Sequence, residues 1–298
     1  MSNSPEGTAR RIVLLGAAGA TGRSALEALR HAGYEVVAHS RRVGTGAALP
    51  RADDDGVRWV GGDLVGDGTH LRRVLDGADA VVDMRVALPT SLRTAGAIRQ
   101  YRAVRDGGVR ALVDAALQFR IPRIVHDTIT MVYRDGGDAW LDESSPVSAP
   151  GPMRANLAGE AHVRRFTEGG GTGVSLRLAQ VHGAPADDPM MAMIESVARR
   201  GWFALAGRDG SYFSSIALSD VGRAVVAALD APAGLYNVAE EPRTRGEWRR
   251  EIARRVGRDD LRTLPGLVAG PLGRSQRVSS ARFTGATGWA PQAEPFGA

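Results

Sequence analysis

The chain has 298 residues, 43% of them hydrophobic, which is enough for one large core or a core with a smaller lobe and excludes disorder by composition. Its 38 basic residues are all arginine and face 33 acidic ones for a formal charge of +5, but the two signs are interspersed, as in "EWRREIARR", which argues against a nucleic-acid surface. With no cysteine there is no disulfide, thiol nucleophile or thiolate metal site, which fits cytoplasmic residence, and no run approaches the ~18 apolar residues of a membrane span.

Residues 1–10 read as a short flexible tail without a signal-peptide core. "RIVLLG" then runs into a glycine cluster, and "ATGRSALEALRHAG" carries leucine and alanine at helical spacing until Gly33. "YEVVAHSRR", "VRWVGGDL" and "ADAVVDMRV" are further strands, with a helical "THLRRVLDGA" between the last two. The pattern is helical from about Thr90 to Phe119, "RIVHDTI" after Pro122 is a fifth strand, and a helix from about Met153 to Glu168 leads to a sixth, "GVSLRLAQVHG". Beyond Gly183 come a helix near Met190 to Arg200, a strand near Tyr212 to Ala217, a helix from Ser219 to Asp230, "GLYNVAEE" and a last helical stretch from about Thr244. The βαβ order predicts an α/β fold: a Rossmann-type doubly wound parallel sheet over residues 11–183, with a small C-terminal substrate lobe over 184–298 that no linker separates from it.

In "GAAGATG", Gly16, Gly19 and Gly22 stand between the first strand and the first helix. The first permits a tight turn, the second lets backbone approach a pyrophosphate, and the third allows close strand–helix packing. Ala20, Thr21 and Gly22 open the helix, whose free N–H groups face the phosphates. At the end of the second strand an acidic residue would bind the ribose of NAD. Here Ser40 takes that place and Arg41 and Arg42 follow, guanidinium groups suited to a 2′-phosphate, so the expected cofactor is NADP(H).

Together "GAAGATG", "GGDL", "ADAVVDM", "PRIV" with "MVY", "LRLAQVHG", "IALSDVGRAVVAAL", "GLYNVAEE" and "ATGWAP" resemble the extended short-chain dehydrogenase/reductase family, in particular its NAD(P)-dependent epimerase/dehydratase group, from Arg11 to Pro291. The resemblance implies that Asp63 and Leu64 lie by the adenine and that Met84 and Arg85 line the channel towards the nicotinamide. A homodimer through a pair of helices is common in the family.

Family members move a proton with a tyrosine, a lysine one helical turn on, and a serine or threonine that holds the substrate oxygen. The lysine's charge lowers the phenol's pKa from ~10. "NLAGE" aligns Asn156 with the lysine and Pro152 with the tyrosine, a shift of one gives Leu157 and Met153, and the chain contains no lysine at all. The serine position falls on Ile129, and Thr128 serves it only if the strand shifts by one. Asn156 remains suited to bonding the nicotinamide ribose. Asp127, near the carboxyl end of the fifth strand, is the preferred substitute acid over its neighbour His126, with Tyr133 and His182 as lesser candidates. Arg85 and Arg154 suit an anionic or phenolate substrate, while Met190, Met191, Met193, Trp202, Phe203, Tyr212 and Phe213 read mainly as core, with some able to wall an apolar pocket. No metal-ligand spacing and no nucleophile elbow occur.

The expectation is an NADP(H)-binding atypical short-chain dehydrogenase/reductase-like enzyme acting on a small carbonyl, hydroxyl, phenolic or quinone-type substrate. The alternatives are a non-redox tailoring enzyme on the same fold and an NADP(H)-sensing regulator similar to the NmrA-like proteins.

Overall fold

A computed structural model describes residues 10–45, 57–64, 68–85, 94–184, 188–263 and 273–293. The chain opens with β1 (Arg11–Leu15), α1 (Ala20–His31), β2 (Glu35–His39), β3 (Val57–Val60), α2 (Gly68–Leu75) and β4 (Ala80–Asp83). It continues with α3 (Ala95–Arg102), α4 (Val109–Gln118), β5 (Arg123–Ile129), a short β6 (Trp140–Leu141), α5 (Arg154–Glu168), β7 (Thr172–Leu178) and β8 (Gln180–His182). Then come α6 (Pro189–Arg199), β9 (Trp202–Phe203), β10 (Tyr212–Phe213), β11 (Ser215–Ala217), α7 (Leu218–Ala228) and β12 (Gly234–Val238). The last elements are β13 (Arg243–Thr244), α8 (Arg245–Arg255), β14 (Arg262–Thr263), β15 (Arg277–Val278) and α9 (Ala281–Thr287).

Seven strands form one sheet in the order β12-β7-β5-β4-β1-β2-β3, and the pairs β1–β2, β1–β4, β2–β3 and β4–β5 are parallel. This is the doubly wound Rossmann-type arrangement that the βαβ order predicts. Strand order reverses between β1 and β4, and crevices for ligands open at such a reversal, beyond the carboxyl ends of the strands. The register sets His39, Leu15, Asp83 and His126 side by side along that edge.

The chain divides into two compact units that interleave in sequence. The first takes the chain to Asp127 with Ala158–Ser175 and Val225–Gly234, and the second takes Thr128–Leu157, Leu176–Ala224 and the chain from Leu235. In the first, Val13, Leu15 and Val81 pack with Leu112 and Val113 of α4 and Phe166 of α5. In the second, Met191 and Ile194 of α6 pack with Phe203 and with Trp248 and Ile252 of α8, whose start is fixed by a capping box between Thr244 and Glu247. Of the methionines and aromatics there, Met191 and Phe203 are core, whereas Met190, Met193 and Trp202 are exposed. No helix among the described residues is long and apolar enough to cross a membrane.

Two expected elements are interrupted. The helix predicted over Thr90 to Phe119 is described from Ala95, Thr90 to Arg93 lying outside the described residues, and a six-residue π-turn, Ala103–Gly108, separates α3 from α4. Gly107 and Gly108 weaken the regular helix there. The strand predicted over 173–183 ends at Leu178. Ala179 donates to Val238 O at 2.9 Å, and β8 then pairs in parallel with β11 rather than within the main sheet.

Candidate active site

The three glycines divide their tasks as the motif requires. Gly16 has φ +82°, and a Cβ on it would lie 2.6 Å from Met84 O, so the turn is pressed against the end of β4. A Cβ on Gly22 would run into Gly16 O, which lets α1 sit close to that turn. On Gly19 it would meet only Gly16 O, at 3.4 Å, so this side of the turn is open. Gly19 is also the N-cap of α1 and no side chain caps it, leaving the first-turn amides of Ala20, Thr21 and Gly22 to face an anion. An open glycine beside an uncapped helix start fits a dinucleotide pyrophosphate.

Beside it, the backbone of His39 accepts from Ala17 N at 3.1 Å, and its buried ring donates from Nε2 to Gly62 O at 3.0 Å. Burial pushes this histidine down to about 4. Ser40 is buried and its Oγ accepts from Arg42 N at 3.1 Å, shaping a turn from which Arg41 and Arg42 project into solvent. Leu64 is buried and Asp63 exposed next to it.

At the carboxyl ends of β4 and β5 lies a cluster of paired charges. Arg85 donates from Nε and Nη2 to the two oxygens of Asp83, at 2.6 and 2.8 Å, and from Nη2 to Gly108 O at 3.1 Å. Burial alone would raise the Asp83 carboxyl, but the Arg85 guanidinium overrides it and holds Asp83 well below the usual carboxylate range. Arg105 reaches in from the π-turn and donates from Nη1 to Asp127 Oδ1 at 2.6 Å and from Nη2 to Asp127 O at 2.5 Å. His126, fully buried, stands 3.6 Å from Asp83 through Nδ1. Asp127, expected as the substitute acid, thus has one side-chain oxygen and its main-chain carbonyl both bonded by a buried guanidinium. Arg85 is folded back onto Asp83 and does not reach outward to an anionic substrate. Arg105 escaped the sequence reading; the Gly107-Gly108 pair beside it was the one local sign of a break.

In the second unit, Thr128 and Asn156 are buried, and Asn156 Nδ2 donates to Met153 O at 3.0 Å. Pro152 lies in a 3₁₀ turn that leads into α5. Tyr133 is fully buried and its OH donates to Asn237 Oδ1 at 2.7 Å while the Arg177 guanidinium lies over its ring. Burial pushes the phenol up, against the pull of Arg177. His182 Nε2 bonds both oxygens of Glu240, at 3.0 and 3.1 Å, and Glu240 also accepts from Ser215 Oγ. Arg154 is exposed. Among the described residues no group of three or more His, Asp or Glu could hold a metal ion.

The sequence model of the NAD dependent epimerase/dehydratase family matches residues 12–239. Among curated proteins, a Streptomyces 3-diazoavenalumate denitrifying reductase is 27% identical over 267 residues, covering 87% of this chain and 86% of its own. Among solved structures, MoeE5 in complex with UDP-glucuronic acid and NAD superposes with TM-score 0.79 at 21% identity over 95% of this chain and 94% of its own. The UDP-glucose 4-epimerase of Thermotoga maritima, with UDP-glucose, gives 0.80 at 16% identity over the same shares. The Bordetella bronchiseptica enzyme WbmG with NAD gives 0.76 at 20% identity, covering 97% of this chain and 91% of its own.

Proposed function

The chain belongs to the NAD-dependent epimerase/dehydratase family, and from that premise we propose that it reduces, with NADP(H), an electrophile that needs no proton from the protein, an aromatic diazonium being the substrate class. The observation that carries the reading is that no lysine exists anywhere in the chain; on the alignment read from "NLAGE", the family's proton couple would fall on Pro152 and Asn156, or on Met153 and Leu157 in the other register. A hydroxyl oxidised or a carbonyl reduced must exchange a proton with a positioned group, and losing one slows such chemistry by ~10²–10⁴-fold. A bound reduced nicotinamide supplies hydride, and an arenediazonium takes it up to give arene, dinitrogen and oxidised nucleotide with no proton consumed.

The residues of the first unit agree with this chemistry. Gly19 and the α1 amides would hold the pyrophosphate, and exposed Arg41 and Arg42 would take the 2′-phosphate, with Ser40 shaping their turn and Asp63 and Leu64 beside the adenine. Met84 and Arg85 would border the nicotinamide. Arg85 and Arg105 are each neutralised by an aspartate, so these two guanidiniums add no net positive charge that would repel a cationic substrate. The denitrifying reductase from Streptomyces supports the substrate class through its name.

The test offers purified protein and NADPH an arenediazonium salt, a quinone and a ketone, following nucleotide oxidation and dinitrogen release against a protein-free control. The expected result is one nucleotide oxidised per dinitrogen, with the ketone inert. Ketone turnover as fast as that of the diazonium, or no dinitrogen above the control, refutes the reading.

A further inference from the structure

Beyond the cofactor contacts, we infer that Arg105 is a positioning residue for the nucleotide, fixing from the π-turn the strand ends against which the glycine turn packs. The inference rests on the nucleotide reading above.

Arg105 is 1% exposed and its two bonds to Asp127 are buried. Besides its two bonds to Asp127, its Nη1 donates to Arg85 O at 3.3 Å, so one guanidinium holds the main chain beyond β4 and the main chain of β5 together. The π-turn supplies a second tie, because Gly108 at its end offers its carbonyl to Arg85 Nη2. One widened turn thus provides both a donor and an acceptor to the same strand end. In an uninterrupted α-helix each residue advances by about 100° around the axis, so removing the extra residue of the π-turn would swing Arg105 away from the core. Such turns interrupt the helical ladder and recur at functional sites.

Both sides of the turn are fixed. On α5, a Cβ at Gly159 would lie 2.8 Å from Arg105 O and 2.9 Å from His126 Nε2, so α5 lies directly against the turn. His162 Nε2 bonds Asp106 Oδ1 at 2.9 Å one residue further along. In the other direction the held segment is the one that meets Gly16, where a Cβ would lie 3.0 Å from Arg85 N. The path is continuous: π-turn, Arg105, main chain of Arg85, Gly16, and the open face at Gly19.

A purely structural ion pair would act on stability alone, and the two roles separate in a double variant. Arg105→Met/Asp127→Leu removes both charges together, and a buried pair replaced by apolar residues commonly retains stability. The bonds to Arg85 O and Asp127 O are lost with the guanidinium. NADPH affinity is measured by fluorescence titration well below the melting temperatures of both proteins. The double variant is expected to melt close to the parent yet bind NADPH about three- to thirty-fold more weakly, the range for coupling through a contact network. Parental affinity in the double variant overturns the inference. Should it not fold, Arg105→Lys, which keeps a cation for Asp127 but lacks the fork, must show the same weakening, and parental affinity there overturns the inference equally. Failure of the unaltered protein to bind NADPH would instead sink the nucleotide reading itself, and this inference with it.

Discussion

Lowering the pH from about 7 to about 4 should remove about 3 kcal/mol of stability through His39 alone. An ordinary histidine titrates at 6.5 and His39 at about 4, because burial disfavours its charged form. At about 1.4 kcal/mol for each pH unit, that gap sets the magnitude. The sign follows from which state binds the proton. Below 6.5 the unfolded ring charges while the folded ring stays neutral, so falling pH favours unfolding; below about 4 both rings are charged and the loss is complete. The perturbation is local to the nucleotide end, since the ring holds Gly62 O and the backbone carbonyl holds Ala17 N. His39→Gln keeps a side-chain donor and cannot titrate, so urea unfolding of both proteins at stepped pH isolates the contribution. Parent and variant stabilities that fall in parallel across this window would refute the reasoning.

Four other outcomes follow from the same geometry. Gly19→Asp should abolish NADPH binding in titration with the melting temperature nearly unchanged, because its side of the turn is open; surviving affinity would mean that the phosphates lie elsewhere. Gly159→Ala should lower stability in urea by about 1–2 kcal/mol, since overpacking against Arg105 O and His126 outweighs alanine's helical advantage; a more stable variant contradicts the packing. Replacing Arg41 and Arg42 by alanine should weaken NADPH about tenfold and NADH little, and equal losses for the two nucleotides would remove the 2′-phosphate contact. Tyr133→Phe leaves the buried Asn237 Oδ1 without its donor and should cost about 1–3 kcal/mol in thermal unfolding; a fall in turnover per folded molecule would return Tyr133 to the chemistry.

What could be read directly from the chain was local. Gly16, Gly19 and Gly22 follow a β-branched run and precede a helix, and their spacing encodes the turn without reference to distant residues. The absent lysine was equally plain, being a matter of composition. Arg105 was hidden because every cation here is an arginine, and its partner lies 22 residues away. The bonding of Asp127 to Arg105 was hidden for a related reason: strand alternation says that neighbours on β5 face opposite ways, but both His126 and Asp127 are buried, so alternation could not identify an open side. The break at Ala179 depends on Val238 and Ser214, which no window around 173–183 contains.

The interleaving of the two units bears on how the protein is made. The first unit includes Val225–Gly234, and that late stretch is tied in where Arg10 meets Asp230 and where Arg123 donates to Ala228 O and Ala231 O. A ribosome adding about 5–20 residues each second releases the glycine turn long before these partners emerge. During that interval Arg10 and Arg123, at the starts of β1 and β5, wait without these partners, so nascent chains stalled before Asp230 should be the ones that chaperones hold.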